Sequence, residues 1–332
     1  MTETEKRHVS EIQNKIINEE YKYTEPLCPV CDLNEFLVIG EKDRCGLPVF
    51  TALCKNCGLL QSSPRLRDID YRDFYENHYR YIWGNERQIS KESFFRGVYE
   101  GRANKQYKFI KQNLDLKVNS KILDYACGSG ALVCKLSEGG YDCIGIDYDS
   151  QNLEYGKSIG LDLSNCSMED GGYSKKYALI IMSHSLEHLS NPKQYLNNIQ
   201  GMIENDGYLF IEVPCIQNWR YTKDLMHAIN IPHIFGFTVQ SLSNLLGKAG
   251  FTLITHEGGT GGRHLSAIFQ KNKKQMHFIS NFQETETFLR SIERNRFFQI
   301  DYMHKKAKFH TYKFRSKVGL AHLSSWLGKM QP

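Results

Sequence analysis

From about residue 119 onward, short apolar runs alternate with amphipathic stretches. KILDY (121–125), CIGID (143–147), YALIIMS (177–183) and GYLFIEV (207–213) have the unbroken apolar character of strands buried on both faces, and LDLSN (161–165) is a weaker strand of the same kind. Between them, 129–139, 150–159 and 191–203 carry apolar residues at helical spacing. This alternation predicts an α/β fold, a mostly parallel Rossmann-like sheet with helices on both faces. A helix over 238–249 ends at Gly250, and FTLITHE and HLSAIFQ follow with only the loop GGTGGR near their junction. Two strands joined without a helix predict that the last one runs antiparallel.

Upstream the pattern differs. Val9, Ile12 and Ile16 predict a short amphipathic helix, and CPVCDLNEFLVIGEKDRCGLPVFTALCKNCGLLQSSP reads as a compact strand-and-turn unit. The stretch 65–118 is aromatic and charged, with Tyr99, Ala103, Tyr107, Ile110 and Leu114 along one helix face. The chain is therefore divided into an N-terminal helical extension (1–26), a cysteine module (27–63), an aromatic helical linker or lid (64–118), the α/β domain (119–270) and a basic helical extension (271–332).

Composition narrows the class. With 332 residues, 41% hydrophobic and 24% charged, the chain can bury a core and is not of the disordered type. No apolar run reaches the ~18 to 20 residues needed to span a bilayer, and the opening MTETEKRHVSEIQNKIINEE lacks a signal-peptide pattern, so a cytoplasmic protein is expected. The net charge of +5 is uneven, because 271–332 is strongly basic and the remainder slightly acidic. That tail would suit a polyanionic partner, a phosphorylated substrate or a membrane surface, and equally a solvated helix. Within it VGLAHLSSWLGKM (318–330) sets Leu320, Leu323, Leu327 and Met330 on a stripe beside Trp326. Peripheral membrane contact is one use of such a stripe; packing on the body or on a second subunit is the other.

The ten cysteines sort into two groups. Cys45, Cys127, Cys134, Cys143, Cys166 and Cys215 are scattered and read as reduced thiols. Cys28-x2-Cys31 and Cys54-x2-Cys57, 22 residues apart, read as two knuckles around one ion. Four thiolates close a tetrahedron, which predicts a structural zinc site without catalytic role. Iron in a rubredoxin-like site is the metallic alternative.

The first strand ends in LDYACGSG, with Asp124 at its tip and Gly128 and Gly130 in the turn. In an open α/β sheet this turn is where an adenosine-containing ligand approaches the backbone. A dinucleotide fingerprint would need a third glycine at Val133, so a ligand without a pyrophosphate is favoured. Asp147, 19 residues beyond Gly128 at the tip of the second strand, can accept both ribose hydroxyls.

Together LDYACGSG, GIDYD, IIMSHSLEHLSNPKQYL, GYLFIEVP and FTVQSLSNLLGKAGF resemble successive motifs of class I S-adenosylmethionine (SAM)-dependent methyltransferases over roughly 119–270. The resemblance implies SAM as cofactor, with Asp124, Gly128 and Gly130 flanking its methionine part, Asp147 holding the ribose, and Tyr148 and Met168 bordering the adenine. Ala126 stands where that family usually has glycine.

Methyl transfer from a sulfonium needs alignment and, for some acceptors, removal of a proton. The fourth strand delivers Ser183-His184-Ser185-Leu186-Glu187-His188 to the site. His188 is the expected general base, since imidazole titrates near neutral pH. Glu187 would orient a histidine or bind a hydroxyl, and His184 would line the cofactor pocket or cap the strand. After the fifth strand, CIQNWRYTKDLMHAINIPHIFGFT carries His227 and His233. The resemblance places a histidine of this segment over the acceptor and matches His233 best, either as a catalytic or as a structural residue. Trp219, Arg220 and Tyr221 would contact a sugar or phosphate, or pack the lid.

A four-cysteine module followed by GLLQSSPRLRDIDYRDFYENHY and this domain resembles bacterial sugar methyltransferases of deoxysugar and surface-glycan biosynthesis. By that resemblance Tyr75 and Tyr79 are lid residues and the acceptor is a sugar or glycan unit. The basic helical tail, in place of the larger α/β domain of C-methylating members, tilts the expectation to O-methylation. The competing readings are an RNA methyltransferase using module and tail for phosphate contacts, and a non-catalytic scaffold. RNA is disfavoured because the module is not strongly basic and the aromatics are not interleaved in one basic stretch.

Overall fold

The computed structural model describes residues 1–83, 90–91, 93–166, 176–217, 229–258, 264–272 and 278–296. Helix α1 (Glu3–Ile17) opens on a capping box, the Thr2 side chain accepting from the Glu5 N–H and Glu5 reaching back to Thr2, and buries Val9, Ile12 and Ile16. The expected amphipathic helix is thus formed. Strand β1 (Tyr23–Thr24) leads to an antiparallel meander of β2 (Phe36–Lys42), β3 (Pro48–Cys54) and β4 (Leu60–Ser62), and β5 (Arg65–Leu66) returns to pair with β1. Then α2 (Asp68–Phe74) runs through a π-helical turn at Tyr75–Tyr79 into α3 (Arg80–Ile82). A second π-helical stretch (Ser93–Ala103) continues as α4 (Asn104–Asn113).

The α/β domain follows the sequence pattern closely: β6 (Lys121–Tyr125), α5 (Ala131–Glu138), β7 (Asp142–Asp147), α6 (Ser150–Ser158), β8 (Leu163–Asn165), β9 (Tyr177–Ser183), α7 (Pro192–Met202) and β10 (Ile203–Pro214). After β11 (Phe235–Gly236) come α8 (Val239–Lys248), β12 (Phe251–Gly258), β13 (His264–Lys271) and α9 (Phe282–Arg296). The seven-stranded sheet has the order β12-β13-β10-β9-β6-β7-β8. Strand β13 pairs antiparallel with both β10 and β12, as the missing crossover helix predicts, while β6 pairs in parallel with β7 and β9. From β6 the chain adds strands outward to β7 and β8 and then resumes on the other side with β9 and β10, so β6 and β9 flank a topological switch point, where open α/β sheets bind ligands at the carboxyl ends of the strands.

Alternation along the strands separates two cores. Leu179 and Ile181 pack with Ile122, Phe210, α4 and α5 on one face. Ile180 and Met182 belong to a larger cluster on the other face. That cluster runs from the sheet through Leu53 and Leu60 of the module to Val9, Ile12 and Ile16 of α1.

The module is also not a separate bead. β11, from the α/β half, pairs antiparallel with β4 and completes the sheet β11-β4-β3-β2. Asp32 in the first knuckle accepts from Lys193 of α7 and Lys248 of α8, and Ser280 Oγ donates to the Asn56 carbonyl in the second knuckle at 2.6 Å.

Candidate functional site

The turn after β6 is built from left-handed residues. Ala126, Gly128 and Gly130 have φ of 58°, 57° and 78°. Glycine tolerates this geometry and alanine does not, so Ala126 carries backbone strain where the resembled family has glycine. Among the described residues a Cβ at Gly128 would meet nothing within 4 Å, which marks the open side of the turn, whereas one at Gly130 would press into Leu163 and Leu161.

Two carboxylates frame this opening. Asp147 Oδ2 accepts the Gly128 N–H at 2.8 Å and Oδ1 accepts that of Asp149 at 2.8 Å, which locks the tip of β7 to the glycine turn. Each oxygen keeps a lone pair for a further donor. Asp124 is 3% exposed, and burial pushes its carboxyl up to about 7 despite the nearby Arg102. Tyr148 is 67% exposed beside Asp147, and its carbonyl accepts from Asn165 Nδ2 at 2.7 Å. Acidic groups and an open glycine turn fit a ligand bearing an ammonium and ribose hydroxyls, and not one bearing phosphates. Met168 lies outside the described residues.

On the β9 side, the segment after the strand turns sharply. His184 has φ 53°, a second strained non-glycine residue at a strand tip. Its Nδ1 is 3.3 Å from Glu187 Oε1 and its Nε2 is 3.4 Å from Glu212 Oε1. Burial alone would lower its pKa; pairing with the two carboxylates outweighs burial and raises it. Glu187 is fully buried. Desolvation would raise its carboxyl, but His184, His188 and His233 around it hold it down to about 2.

His188 is fixed through its other nitrogen. Nδ1 lies 2.8 Å from the Pro232 carbonyl, which can only accept, so Nδ1 carries the proton and Nε2 the lone pair. Tyr75 OH is 3.0 Å from Nδ1 and donates to the same carbonyl at 3.3 Å. Nε2 is 3.8 Å from Glu187 Oε1, and the His233 ring stands edge-on with centroids 4.8 Å apart. Burial lowers both histidines, His233 to about 4, so both are neutral at neutral pH. One donor atom from each of Glu187, His188 and His233 lies within 4.8 Å of the others. The structure therefore gathers all three residues read from sequence as the chemical centre.

The helix over Asp68–Ile82 bridges both halves of this crevice. Tyr75 reaches His188, the Tyr79 ring centroid lies 4.9 Å from that of Tyr75, and Arg80 pairs with Asp149 and Gln151 at the start of α6. Trp219, Arg220, Tyr221 and His227 lie outside the described residues.

Sequence reading missed a polar network behind the site. Glu212 on β10 accepts from Arg102 Nε at 2.9 Å, Gln106 Nε2 at 2.8 Å and Ser266 Oγ at 3.0 Å, while Arg102 and Gln106 also donate to Ser183 Oγ, each at 2.7 Å. Burial opposes its charge, but His184 and Arg102 bring Glu212 down to about 2. The signal was present as one acid inside the apolar run GYLFIEV; its partners come from the linker and the last strand, which no local pattern joins.

In the module the two knuckles are equivalent. Cys28 N–H donates to Leu33 O and Asp32 N–H to Cys28 O, each at 2.9 Å; Cys54, Leu59 and Gly58 repeat both bonds at 2.9 Å. Asp32 and Gly58 both have positive φ, 61° and 75°. The four Sγ atoms lie within 4.8 Å of one another, with Cys28–Cys57 and Cys31–Cys54 at 3.4 Å. Tetrahedral Zn–S bonds of about 2.3 Å separate sulfurs by about 3.8 Å, so the donor set fits a zinc-sized ion. Among the other cysteines, Cys143 and Cys215 are buried and Cys45, Cys127, Cys134 and Cys166 are half-buried.

Comparison with known proteins bears on the same region. Residues 99–256 match the family model of a methyltransferase domain. A demethylmenaquinone methyltransferase of Paenarthrobacter aurescens is 24% identical over 53% of this chain and 79% of that protein. A ubiquinone biosynthesis O-methyltransferase of Actinobacillus pleuropneumoniae is 25% identical over 31% of this chain, and the match spans 49% of that relative. Among solved structures, a SAM-dependent methyltransferase from Archaeoglobus fulgidus superimposes with TM-score 0.44 at 17% identity, over 54% of this chain and 97% of that one. The N-methyltransferase NodS from Bradyrhizobium japonicum gives 0.44 at 13%, over 56% and 95%. By their names, the two sequence relatives act on a menaquinone precursor and in ubiquinone biosynthesis.

Proposed function

We propose that this chain, residues 99–256 of which match a methyltransferase-domain family model, is a class I SAM-dependent methyltransferase that methylates a hydroxyl group with His188 as general base. The observation that carries the reading is the tautomer of His188: its proton is committed to Pro232 through Nδ1, which leaves Nε2 a neutral acceptor within the Glu187–His233 cluster. Bound in the crevice, SAM supplies a methyl group already activated by the positive sulfur. Asp124 would face the ammonium of its methionine part, Gly128 and Gly130 leave room for the chain, Ala126 tightens the turn, Asp147 takes the ribose hydroxyls and Tyr148 covers the base.

His188 accepts the acceptor's proton at Nε2, and the imidazolium is then stabilised by the ionised Glu187 at 3.8 Å. Tyr75 and the Pro232 carbonyl keep the ring from rotating, and His233, neutral at working pH, borders the acceptor. His184, held between two carboxylates, shapes the strand tip against the cofactor. Cys28, Cys31, Cys54 and Cys57 hold a structural zinc ion that fastens the module, and through β11 the acceptor side, to the sheet.

For the acceptor, the order of cysteine module, tyrosine helix and α/β domain supports a sugar or glycan unit. A quinol-type phenol is the second reading, favoured by the names of the relatives matched above. Incubation with methyl-labelled SAM and two panels, nucleotide sugars with glycan fractions and hydroxylated quinols, followed by mass location of the methyl, separates them. Label on neither panel with the wild-type chain would reject the hydroxyl-methylating reading, and equal label with His188→Ala would reject His188 as its base.

A further inference from the structure

Helix α1 and the tyrosine-bearing helix meet at a second cluster of metal-ligating side chains. His8 and Glu11 stand three residues apart on α1 and so share one face. His78 comes from the π-helical turn that also carries Tyr75 and Tyr79. Nδ1 of His8 lies 3.1 Å from Nδ1 of His78, and Glu11 Oε2 lies 3.4 Å from the first and 3.7 Å from the second. Both imidazoles are buried, at 6% and 4% exposure, and among the described residues Nε2 of His78 has no hydrogen-bond partner.

A single proton between two neutral imidazoles accounts for the 3.1 Å edge. It does not account for a carboxylate oxygen closing the triangle on both nitrogens. Zinc bonds of about 2.0 to 2.1 Å to nitrogen and oxygen place tetrahedral ligand atoms about 3.3 to 3.4 Å apart, and the three measured edges bracket that value. Two imidazoles and one carboxylate suit zinc or a neighbouring transition metal better than calcium or magnesium, which prefer all-oxygen sets.

We propose that His8, Glu11 and His78 bind a divalent transition-metal ion of the zinc class, distinct from the one the cysteines would hold. The ion staples α1 to the helix that brings Tyr75 to His188. Glu11 is 46% exposed, so the cluster borders solvent, from which water would supply a fourth ligand. His8 is oriented by stacking on Tyr81, with centroids 4.2 Å apart and planes 3° apart. Arg7 has one nitrogen 3.3 Å from His8 Nε2 and another 3.7 Å from Glu11 Oε1. Metal on Nδ1 puts the proton on Nε2, so Arg7, 65% exposed, turns outward when the ion binds.

The test is the metal content of the full chain. Wild type and the His8→Gln/His78→Gln variant are equilibrated with excess Zn2+, desalted and assayed for zinc per protein. The variant is expected to hold one equivalent less, a difference that does not depend on how much the cysteine cluster retains. Equal contents in two chains with the same circular dichroism overturn the site and leave a proton-sharing histidine pair. Should the double variant not fold, Glu11→Gln, a change at an exposed position, is titrated with zinc against a chromophoric chelator. Weakening of the looser equivalent supports the site; a titration identical to wild type overturns it.

Discussion

Tyr75 and His188, 113 residues apart in the chain, meet at one carbonyl: the hydroxyl and the ring nitrogen both converge on Pro232 O. The tyrosine thereby helps fix which imidazole nitrogen is free. Removing a positioned general base costs about 10²- to 10⁴-fold, so His188→Ala is expected to lower kcat by that order while SAM affinity, read by calorimetry, stays near wild type. Tyr75→Phe, which loses one hydrogen bond of about 0.5–1.5 kcal/mol, should reduce kcat only about 2- to 10-fold.

The rate should fall on the acid side where His188 gains a proton. Burial lowers His188 below the usual imidazole range, so the acid limb of kcat/KM is expected below about pH 6.5, the ordinary histidine value. His233 adds a stability effect. Its folded pKa is about 4 against ~6.5 unfolded, so the unfolded chain binds the extra proton. The contribution is full above the unfolded value and is lost as pH falls from about 6.5 toward 4. Chemical denaturation of wild type and His233→Asn across that window should converge at the acid end.

SAM affinity should depend on pH through Asp124. Its carboxyl, raised to about 7 by burial, attracts an ammonium only when ionised. Calorimetry is expected to show binding tighten as pH rises through about 7, and Asp124→Asn should bind weakly with that dependence gone. A wild-type affinity flat from pH 6 to 8 would remove Asp124 as the ammonium partner.

Ala126 sits at φ 58°. Ala126→Gly relieves the strain at the cost of unfolded-state entropy, a balance on the order of 0.5–1 kcal/mol in favour of glycine. A rise in Tm of a few degrees is the expected reading. A fall would mean that the methyl group's packing outweighs the strain.

Structural zinc converts binding energy of order 10 kcal/mol into folding energy. A strong chelator, or Cys31→Ser, should therefore unfold the knuckles and free β4 from β11, lowering Tm and activity together. Re-addition of zinc should restore both in the chelated wild type and not in Cys31→Ser.

The sequence by itself determined the sheet and the list of reactive side chains. Buried parallel strands must be apolar on both faces and their crossover helices amphipathic, so β6, β7, β9 and β10 were written in KILDY, CIGID, YALIIMS and GYLFIEV, within a few residues at either end. Two cysteine knuckles and the glycine turn were legible for the same reason, since their geometry is set by residues close in the chain. Tertiary structure alone decided which nitrogen of His188 is free, that Glu187 is ringed by three histidines, that Arg102 and Gln106 satisfy Glu212, and that β11 stitches the cysteine module to the domain. Apart from His184 and His188, which neighbour Glu187 in the chain, each of these joins groups tens of residues apart through hydrogen bonds or charge. Such contacts leave no periodicity in a sequence, because one polar residue looks the same whether its partner is water or a buried carboxylate.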